Sequence, residues 1–269
     1  MCMHHCHLKE GQTGRCRARK NENGKSACSN YGLLTSVALD PIEKKPLAFF
    51  HPGSMVLSVG SFGCNLDCPF CQNASIAAAC ENEVEVERMQ PEELALLAEK
   101  LKPRGNIGVA FTYNEPMVGF EYVRDTAKLV HERHMYNVVV TNGSASREVL
   151  MDVLPYIDAF NIDLKGFTQE YYKKLGGDLD TVLEFIRTAA GASHVELTTL
   201  IVPGDNDTLE EMQNLSTWVA GVDKTIPLHI TRFFPRRKMR DKQPTDIHLM
   251  RKLADVAKEN LETVLLGNV

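Results

Sequence analysis

Met55-Val-Leu-Ser-Val-Gly-Ser-Phe-Gly-Cys-Asn-Leu-Asp-Cys-Pro-Phe-Cys71 joins two kinds of local structure. Its first five residues form a short apolar run that ends at Gly60, which is typical of a buried β-strand. Directly after this strand, three cysteines follow one another at spacings of four and three residues, on a loop rather than on a helix. The pair of features, a strand and then a cysteine-rich loop, guides the interpretation of the rest of the chain.

Apolar runs of the same kind recur five times downstream. They are 107–112, 137–141, 159–164, 195–202 and 227–233. Amphipathic stretches lie between them: Pro91 opens one with acids in its first turn, and Thr208-Leu-Glu-Glu211 reads as a capping box for another. Alternating strands and helices predict an α/β fold with a parallel sheet wrapped by helices. Six or more such units favour a partial (β/α)6 TIM-type barrel, in which functional side chains lie at the carboxyl ends of the strands.

The cysteine loop predicts a metal centre. Three thiolates this close, at Cys64, Cys68 and Cys71, can converge on one iron–sulfur cluster, and because four ligands are usual, one iron would stay open. Two alternatives remain. One is a structural zinc site whose fourth ligand is Cys80 or a histidine, and the other is three unconnected core cysteines.

Composition excludes several classes of protein. The chain has 269 residues, of which 43% are hydrophobic and 24% charged, as in an ordinary globular protein. A formal net charge of −5 gives no reason to expect a nucleic-acid partner. No apolar run approaches the roughly 20 residues that span a membrane, and no secretory signal opens the sequence, so we expect a cytoplasmic location. Eight cysteines in a reducing compartment are then ligands or free thiols rather than disulfides.

The first 50 residues form a separate compositional zone. They carry 8 basic and 4 acidic side chains and are rich in Gly and Asn, so we predict an irregular Cys-rich N-terminal extension over 1–50, ending in a linker at 40–46, and a barrel domain over 51–269. A second metal site is predicted here, holding zinc or another iron–sulfur cluster. Its candidate ligands are Cys2, Cys6, Cys16 and Cys28. A flexible tail with free thiols is the competing interpretation.

The motif Cys-x-x-x-Cys-x-x-Cys, with Phe70 before its last cysteine, resembles the radical S-adenosylmethionine (SAM) superfamily. The resemblance extends over most of the chain. Asp40 to Pro46, His51-Pro-Gly53, Gly63-Cys64-Asn65 and Cys71-Gln72-Asn73 are similar to the AmmeMemoRadiSam branch, which is itself similar to pyruvate formate-lyase activating enzyme. Residues 2–19 resemble the Cys-rich N-terminal segment of that branch.

This resemblance implies cofactors and a reaction. A [4Fe-4S] cluster would bind Cys64, Cys68 and Cys71, and its open iron would be chelated by the amino and carboxylate groups of SAM, with Phe70 beside them. An electron from reduced flavodoxin or ferredoxin would split the sulfonium into methionine and a 5′-deoxyadenosyl radical, which takes a hydrogen atom from a substrate.

The resemblance also assigns residues at the next two strand ends. Asn114 and Glu115 stand where the superfamily has Gly-Gly-Glu, which grips the methionine ammonium, and Asn114 departs from the glycine. Thr141 and Asn142 match a Thr-Asn-Gly triplet that meets the ribose or carboxylate. The alternative for Glu115 is an exposed loop acid, and the alternative for Asn142 with the glycine after it is a plain Asn-Gly turn. Because Val140 replaces an acid of the activating enzymes, we do not expect their monovalent cation site to be complete.

Later strand ends supply further candidates. Asp163 and Lys165 match the family's Asp-Leu-Lys and share one face of a strand, where the lysine could meet the ligand carboxylate. His229 lies on the polar face of the sixth run, near the ligand or as an ordinary core histidine. Just beyond it is the densest basic cluster of the chain, which could orient an anionic substrate or an acidic peptide, or be a solvated loop. Its members are Arg232, Arg236, Arg237, Lys238 and Arg240.

The predicted function is hydrogen-atom abstraction by a radical SAM oxidoreductase. A glycine of a protein partner, as in the activating enzymes, is one substrate class. The Gly-Ile-Arg-Thr type segment of those enzymes is missing, so a small molecule or another protein residue is the rival. A hypothesis of a different class is a non-catalytic iron–sulfur or zinc electron-transfer module.

Overall fold

A computed structural model describes all 269 residues of the chain, which fold around one large and two small β-sheets. The strands are β1 Arg19–Glu22, β2 Lys25–Cys28, β3 Leu33–Leu34, β4 Ser36–Pro41, β5 Met55–Gly60, β6 Glu87–Arg88, β7 Asn106–Phe111, β8 Tyr136–Thr141, β9 Ala159–Asp163, β10 His194–Ile201, β11 Leu228–Arg232 and β12 Val264–Gly267. The helices are α1 Ala74–Ala77, α2 Pro91–Lys100, α3 Phe120–Glu132, α4 Arg147–Val153, α5 Gln169–Leu175, α6 Leu179–Ala190, α7 Leu209–Asp223 and α8 Ile247–Lys258. Short 3₁₀ turns occupy Ile42–Lys44, Glu81–Glu83, Lys102–Arg104, Pro116–Gly119 and Leu154–Tyr156.

The main sheet has eight strands in the order β12-β11-β10-β9-β8-β7-β5-β4. Every neighbouring pair is parallel except β4 and β5, which are antiparallel. Its end strands, β12 and β4, do not pair with each other. The prediction of an α/β fold with a partial TIM-type barrel is confirmed, and each of the six apolar runs is a strand of this sheet.

Two helices begin where the sequence predicts. Pro91 is the first residue of α2, and the Glu93 carboxylate accepts a hydrogen bond from the Gln90 N–H at 2.7 Å. The Thr208 hydroxyl caps α7 by accepting from the Glu211 N–H at 3.1 Å. Both helices then bury an apolar face against the sheet, α2 through Leu94 among others. These short-range signals therefore fix where the helices between the strands start.

The predicted linker forms the floor of the barrel. Ile42 and Leu47, both fully buried, pack inside the barrel against side chains near the amino ends of its strands, such as Val56 and Ala159. Burying an Ile or Leu side chain contributes about 1.5–3 kcal/mol, so Ile42 within the segment and Leu47 directly after it favour burial over a solvated linker. The floor closes one end of the barrel and leaves the carboxyl ends of the strands as the site for chemistry.

The N-terminal extension is partly regular. β1 and β2 form a hairpin whose turn, Asn23-Gly24, has the positive φ angles of 54° and 75° that such tight turns require. β4, predicted as part of the irregular zone, is an edge strand of the main sheet. A partly buried ion pair between Arg19 and Glu121 (2.7 Å) ties the hairpin to α3. No helix of the chain combines the length and the apolar character needed to cross a membrane.

Candidate active site

The cysteine loop connects β5 to α1, at the carboxyl end of the first parallel strand. Cys64, Cys68 and Cys71 are free thiols that pack into one apolar cluster with Leu66 and Phe70. Cys68 is buried, and Cys64 and Cys71 are half-buried. The structure therefore places the three predicted ligands and Phe70 together.

Backbone contacts hold this loop against the N-terminal extension. The Cys64 N–H donates to the Cys16 carbonyl at 3.1 Å, and Gly63 adopts a φ of 90° directly before it. A Cβ at Gly63 would lie 2.5 Å from the Cys16 carbonyl oxygen, so only glycine fits this close approach.

The surroundings of the thiols suit iron ligands. The Leu66 N–H (3.4 Å) and the Asn142 side-chain amide (3.6 Å) point at Cys64 Sγ. Burial raises the pKa of the Cys68 thiol to about 11, although nearby Lys165 opposes the rise. The Cys68 thiol is therefore protonated at neutral pH until a metal displaces the proton.

An iron–sulfur cluster fits these residues better than a single ion does. No group of three His, Cys, Asp or Glu side chains lies close enough to share one metal ion, so the zinc alternative lacks its donor set. In a cluster each thiolate binds a different iron, which allows wider spacing. Two buried hydroxyls near the loop, of Ser144 and Tyr171, have no hydrogen-bond partner within the chain. Because buried polar groups are nearly always paired, these hydroxyls are consistent with a bound group there.

Glu115 connects the loop after β7 to the end of β8. Its Oε1 accepts from the Thr141 hydroxyl at 2.7 Å and from the Met117 N–H at 3.0 Å, and its Oε2 accepts from the Asn142 N–H at 2.8 Å. Only 2% of the residue is exposed, so the alternative of a solvated loop acid does not hold. Burial raises the pKa of Glu115 to about 7, and the three donors limit that rise by favouring the carboxylate.

Asn142 connects this group to the cysteine loop. Its side-chain amide donates to Asn65 Oδ1 at 2.9 Å as well as approaching Cys64 Sγ, and Asn65 in turn donates to the Ser144 carbonyl at 3.0 Å. The Asn-Gly pair is thus more than a plain turn. Asn65 and Ser144 were not predicted as site residues, although both lie beside predicted ones.

Asn114, which departs from the expected glycine, and its neighbour Tyr113 make different contacts. Asn114 bonds to the backbone of the first loop, accepting from Ser61 N–H at 2.9 Å and donating to the Phe62 and Gly63 carbonyls at 3.2 Å. Tyr113 keeps a glycine-like φ of 73°. Its hydroxyl donates to Asp40 Oδ2 at 2.7 Å, where the buried Lys45 also binds at 2.9 Å. No spacing in the sequence signals this group, since Asp40 and Tyr113 are 73 residues apart.

Asp163 and Lys165 form an ion pair at the end of β9, with 2.8 Å between Oδ2 and Nζ. Burial disfavours the charge on Lys165, but the Asp163 carboxylate and the Cys68 thiolate raise the pKa of Lys165 above its ordinary value. Since Lys165 is also among the charges that act on the Cys68 thiol, the pair lies beside the cysteine loop. The structure thus brings this predicted pair into the same site.

His229 points to a different partner. Its Nε2 lies 2.6 Å from Oε2 of Glu196, a fully buried acid of β10. Glu196 also binds the backbone N–H groups of Ala48 and Phe49 in the barrel floor (3.0 and 2.8 Å) and the His194 ring at 2.9 Å. His229 therefore supports the floor through Glu196, and its contact with a cofactor stays a prediction. The one acid in β10, between Val195 and Leu197, was the available signal for Glu196.

The N-terminal cysteines differ in their exposure and in their contacts. Cys2 pairs its backbone with Ala145, Cys6 is exposed, Cys16 is buried and Cys28 donates to Asn30 Oδ1 at 3.0 Å. No set of three ligands for one ion is present among them. The second metal site stays a prediction.

The fold and site together define a partly open α/β barrel, with three thiols on the first loop and polar groups from the next strand ends beside them. The chain belongs to the radical SAM superfamily, whose family model matches residues 58–219. This membership makes it a radical SAM superfamily enzyme and implies a [4Fe-4S] cluster and SAM as its cofactors.

Individual relatives agree with this assignment. The chain is 38% identical over 272 residues to the uncharacterized protein MJ0808 of Methanocaldococcus jannaschii, a match that covers 100% of this chain and 80% of the relative. It is 27% identical over 120 residues to the 4-hydroxyphenylacetate decarboxylase activating enzyme of Clostridioides difficile, covering 43% of this chain and 38% of that enzyme.

Solved structures share the fold. A domain of pyruvate-formate lyase-activating enzyme from Bacteroides vulgatus matches with a TM-score of 0.52 at 18% identity, over 60% of this chain and 98% of that one. SuiB of Streptococcus suis, bound to S-adenosylmethionine, matches with a TM-score of 0.61 at 13% identity, over 80% of this chain and 52% of that one.

Proposed function

We propose that this chain is a radical SAM oxidoreductase that abstracts a hydrogen atom from its substrate. When bound and reduced, the cluster supplies the electron that splits SAM into methionine and a 5′-deoxyadenosyl radical. Cys64, Cys68 and Cys71 hold the cluster. The observation that carries the proposal is the approach of the Asn142 side-chain amide to Cys64 Sγ, at 3.6 Å, which brings the third strand end to the cysteine loop.

The other residues bind and orient SAM. Lys165 offers an ammonium to the ligand carboxylate, and its bond to Asp163 keeps that ammonium charged and in place. Glu115 presents a buried carboxylate for the methionine ammonium, while Thr141 and Asn142 hold it in position. The barrel floor and the apolar cluster around Cys68 limit the access of water to a reactive radical.

A glycyl residue of a protein partner is one candidate substrate. The similarity to an activating enzyme over 120 residues supports this class. A small molecule is the rival, and the hydrogen-bonded group of Asp40, Lys45 and Tyr113 supports it, because its charges and hydroxyl suit the binding of a small polar substrate. Reduced flavodoxin or ferredoxin is the proposed electron donor.

Anaerobic reconstitution with iron and sulfide, followed by dithionite and SAM, tests the function. We expect formation of 5′-deoxyadenosine, measured by chromatography, and its loss in Cys68→Ala. Cys80→Ala is the matched control, because Cys80 is a half-buried cysteine outside the triad and should leave iron content and product unchanged. A wild-type protein that binds iron but never cleaves SAM would favour the non-catalytic electron-transfer module, and a Cys68→Ala variant as active as the wild type would exclude this ligand set.

A further inference from the structure

Residues 233–245, between β11 and α8, form a segment that we call the basic loop. It contains five basic residues and one acidic residue, a net charge of +4, on a chain whose formal net charge is −5. Arg236, Lys238, Arg240 and Lys242 are exposed. The loop is therefore a positive patch on an acidic protein.

The basic loop is fastened to the cysteine loop. Arg237 donates to the Cys68 carbonyl at 2.7 Å and pairs with Asp67 at 2.6 Å. Lys238 adds two contacts, from its backbone N–H to the Pro69 carbonyl (2.9 Å) and from its Nζ to Asp67 (3.0 Å). The exposed charges are thus held beside one of the three cluster ligands.

The free charges of the loop face solvent and not the barrel interior. Arg237 and Lys238 are engaged with Asp67, whereas Arg236 and Arg240 are exposed and make no side-chain hydrogen bond or ion pair within the chain. A substrate that meets the radical would lie inside the barrel, where Asp163 and Lys165 are found. The outward direction of the free arginines favours a macromolecule at the surface over a small substrate.

The patch also has an apolar element. Phe234 is 42% exposed, and the Arg232 guanidinium lies 5.1 Å from its ring centroid. Next to the patch, Pro69 is half-buried and Gln72 is exposed, so the cysteine loop itself reaches the surface here. A small apolar contact surrounded by like charges suits a transient encounter with a partner of opposite charge, in which electrostatic attraction sets the association rate.

We propose that the basic loop is the docking surface for an acidic one-electron carrier protein. The proposal rests on the proposed function. The carrier gives up one electron and is oxidised by one unit, and the iron–sulfur cluster held by Cys64, Cys68 and Cys71 is reduced by one unit, with no bond or proton of the chain changing. Arg236 and Arg240 attract the carrier, and Arg237 and Lys238 hold the loop against the cluster ligand.

Charge reversal separates docking from catalysis. In the reconstituted enzyme, the rate at which a reduced flavodoxin reduces the cluster can be monitored through the visible absorbance of the cluster. Arg236→Glu/Arg240→Glu should lower this rate at least tenfold. It should also weaken binding of oxidised flavodoxin, measured by calorimetry, and flatten the dependence of that binding on salt. Dithionite is a small reductant, so dithionite-driven 5′-deoxyadenosine formation should stay within twofold of wild type.

Lys100→Glu/Arg104→Glu is the matched control. It makes the same change in charge at two exposed residues next to the amino end of β7, at the opposite end of the barrel. We expect wild-type binding and reduction. The proposal is overturned if both double variants lose flavodoxin reduction equally, if neither does, or if Arg236→Glu/Arg240→Glu loses dithionite-driven cleavage as well. A wild-type enzyme inactive even with dithionite would instead refute the proposed function, which keeps the two failures distinct.

Discussion

Glu115, in the loop after β7, and Thr141, the last residue of the neighbouring strand β8, are joined by a hydrogen bond of 2.7 Å between Oε1 and Oγ1. Each residue is only 2% exposed. This contact sets the relative position of the second and third loops without any ligand, so the part of the site that would receive SAM is preorganised.

Glu115 should make the stability of the apoprotein depend on pH. Burial raises the pKa of Glu115 in the folded state to about 7, above the ordinary value of 4.5. Between these two values the folded state binds more protons than the unfolded state, so this residue lowers the free energy of unfolding as pH rises. Urea denaturation at pH 5, 6 and 7 should show that decline in wild type and a smaller one in Glu115→Gln. Identical slopes for the two proteins would contradict the prediction.

Glu196 should give the free energy of unfolding the opposite dependence on pH. Burial disfavours its charge, but hydrogen bonds from His194, His229 and two backbone N–H groups lower the pKa of Glu196 to about 2. Its contribution to stability is therefore present above pH 4.5 and is lost as pH falls towards 2. Glu196→Gln should lower the free energy of unfolding at pH 7 by about 1–3 kcal/mol. The difference from wild type should narrow at pH 3; a difference that does not change with pH would argue against the proposed role of the charge.

Gly63→Ala should displace the N-terminal extension from the cysteine loop. The new Cβ would lie 2.5 Å from the Cys16 carbonyl oxygen, at a φ of 90° that alanine rarely adopts. We expect a loss of about 1–3 kcal/mol in the free energy of unfolding and lower iron content after reconstitution. Gly221→Ala is the control, because no atom lies within 4 Å of a Cβ there and the position is in α7. It should stabilise the protein by about 0.5–1 kcal/mol.

Arg19→Ala should loosen the hairpin of β1 and β2. The arginine is 7% exposed in its side chain and pairs with Glu121, so its removal leaves a partly buried carboxylate without its partner. A cost of about 3 kcal/mol is expected from thermal or urea denaturation, together with faster proteolysis of residues 1–30. The exposed pair Lys20–Glu22, at 3.5 Å, offers a comparison: Lys20→Ala should change stability by less than about 0.5 kcal/mol. Equal effects of the two substitutions would contradict the assignment.

Local patterns were sufficient to predict most of the parallel sheet. The apolar run at 55–59 ends at a glycine and became β5, because a strand buried on both faces needs little beyond continuous hydrophobicity. β4 was missed, since Ser36–Pro41 mixes polar and apolar residues and owes its place to pairing with β5. β12 has only four residues and carries too short a signal.

The site residues also divide into those that could be predicted from the sequence and those that depend on the assembled fold. The cysteine triad lies within eight residues and could be predicted from spacing, whereas Glu115 was predicted from the resemblance to the superfamily. The bonds of Glu196 to Ala48 and Phe49 span 148 and 147 residues and could not. Such contacts depend on how the strands assemble, which no local pattern encodes.

The floor built by Ile42, Leu47 and Glu196 has a consequence for the order of events in turnover. With that end sealed, cofactor and substrate can reach the interior only past the carboxyl ends of the strands or between the unpaired edge strands β4 and β12. A ligand bound at the carboxyl ends should therefore slow the exchange of any molecule that lies deeper in the barrel.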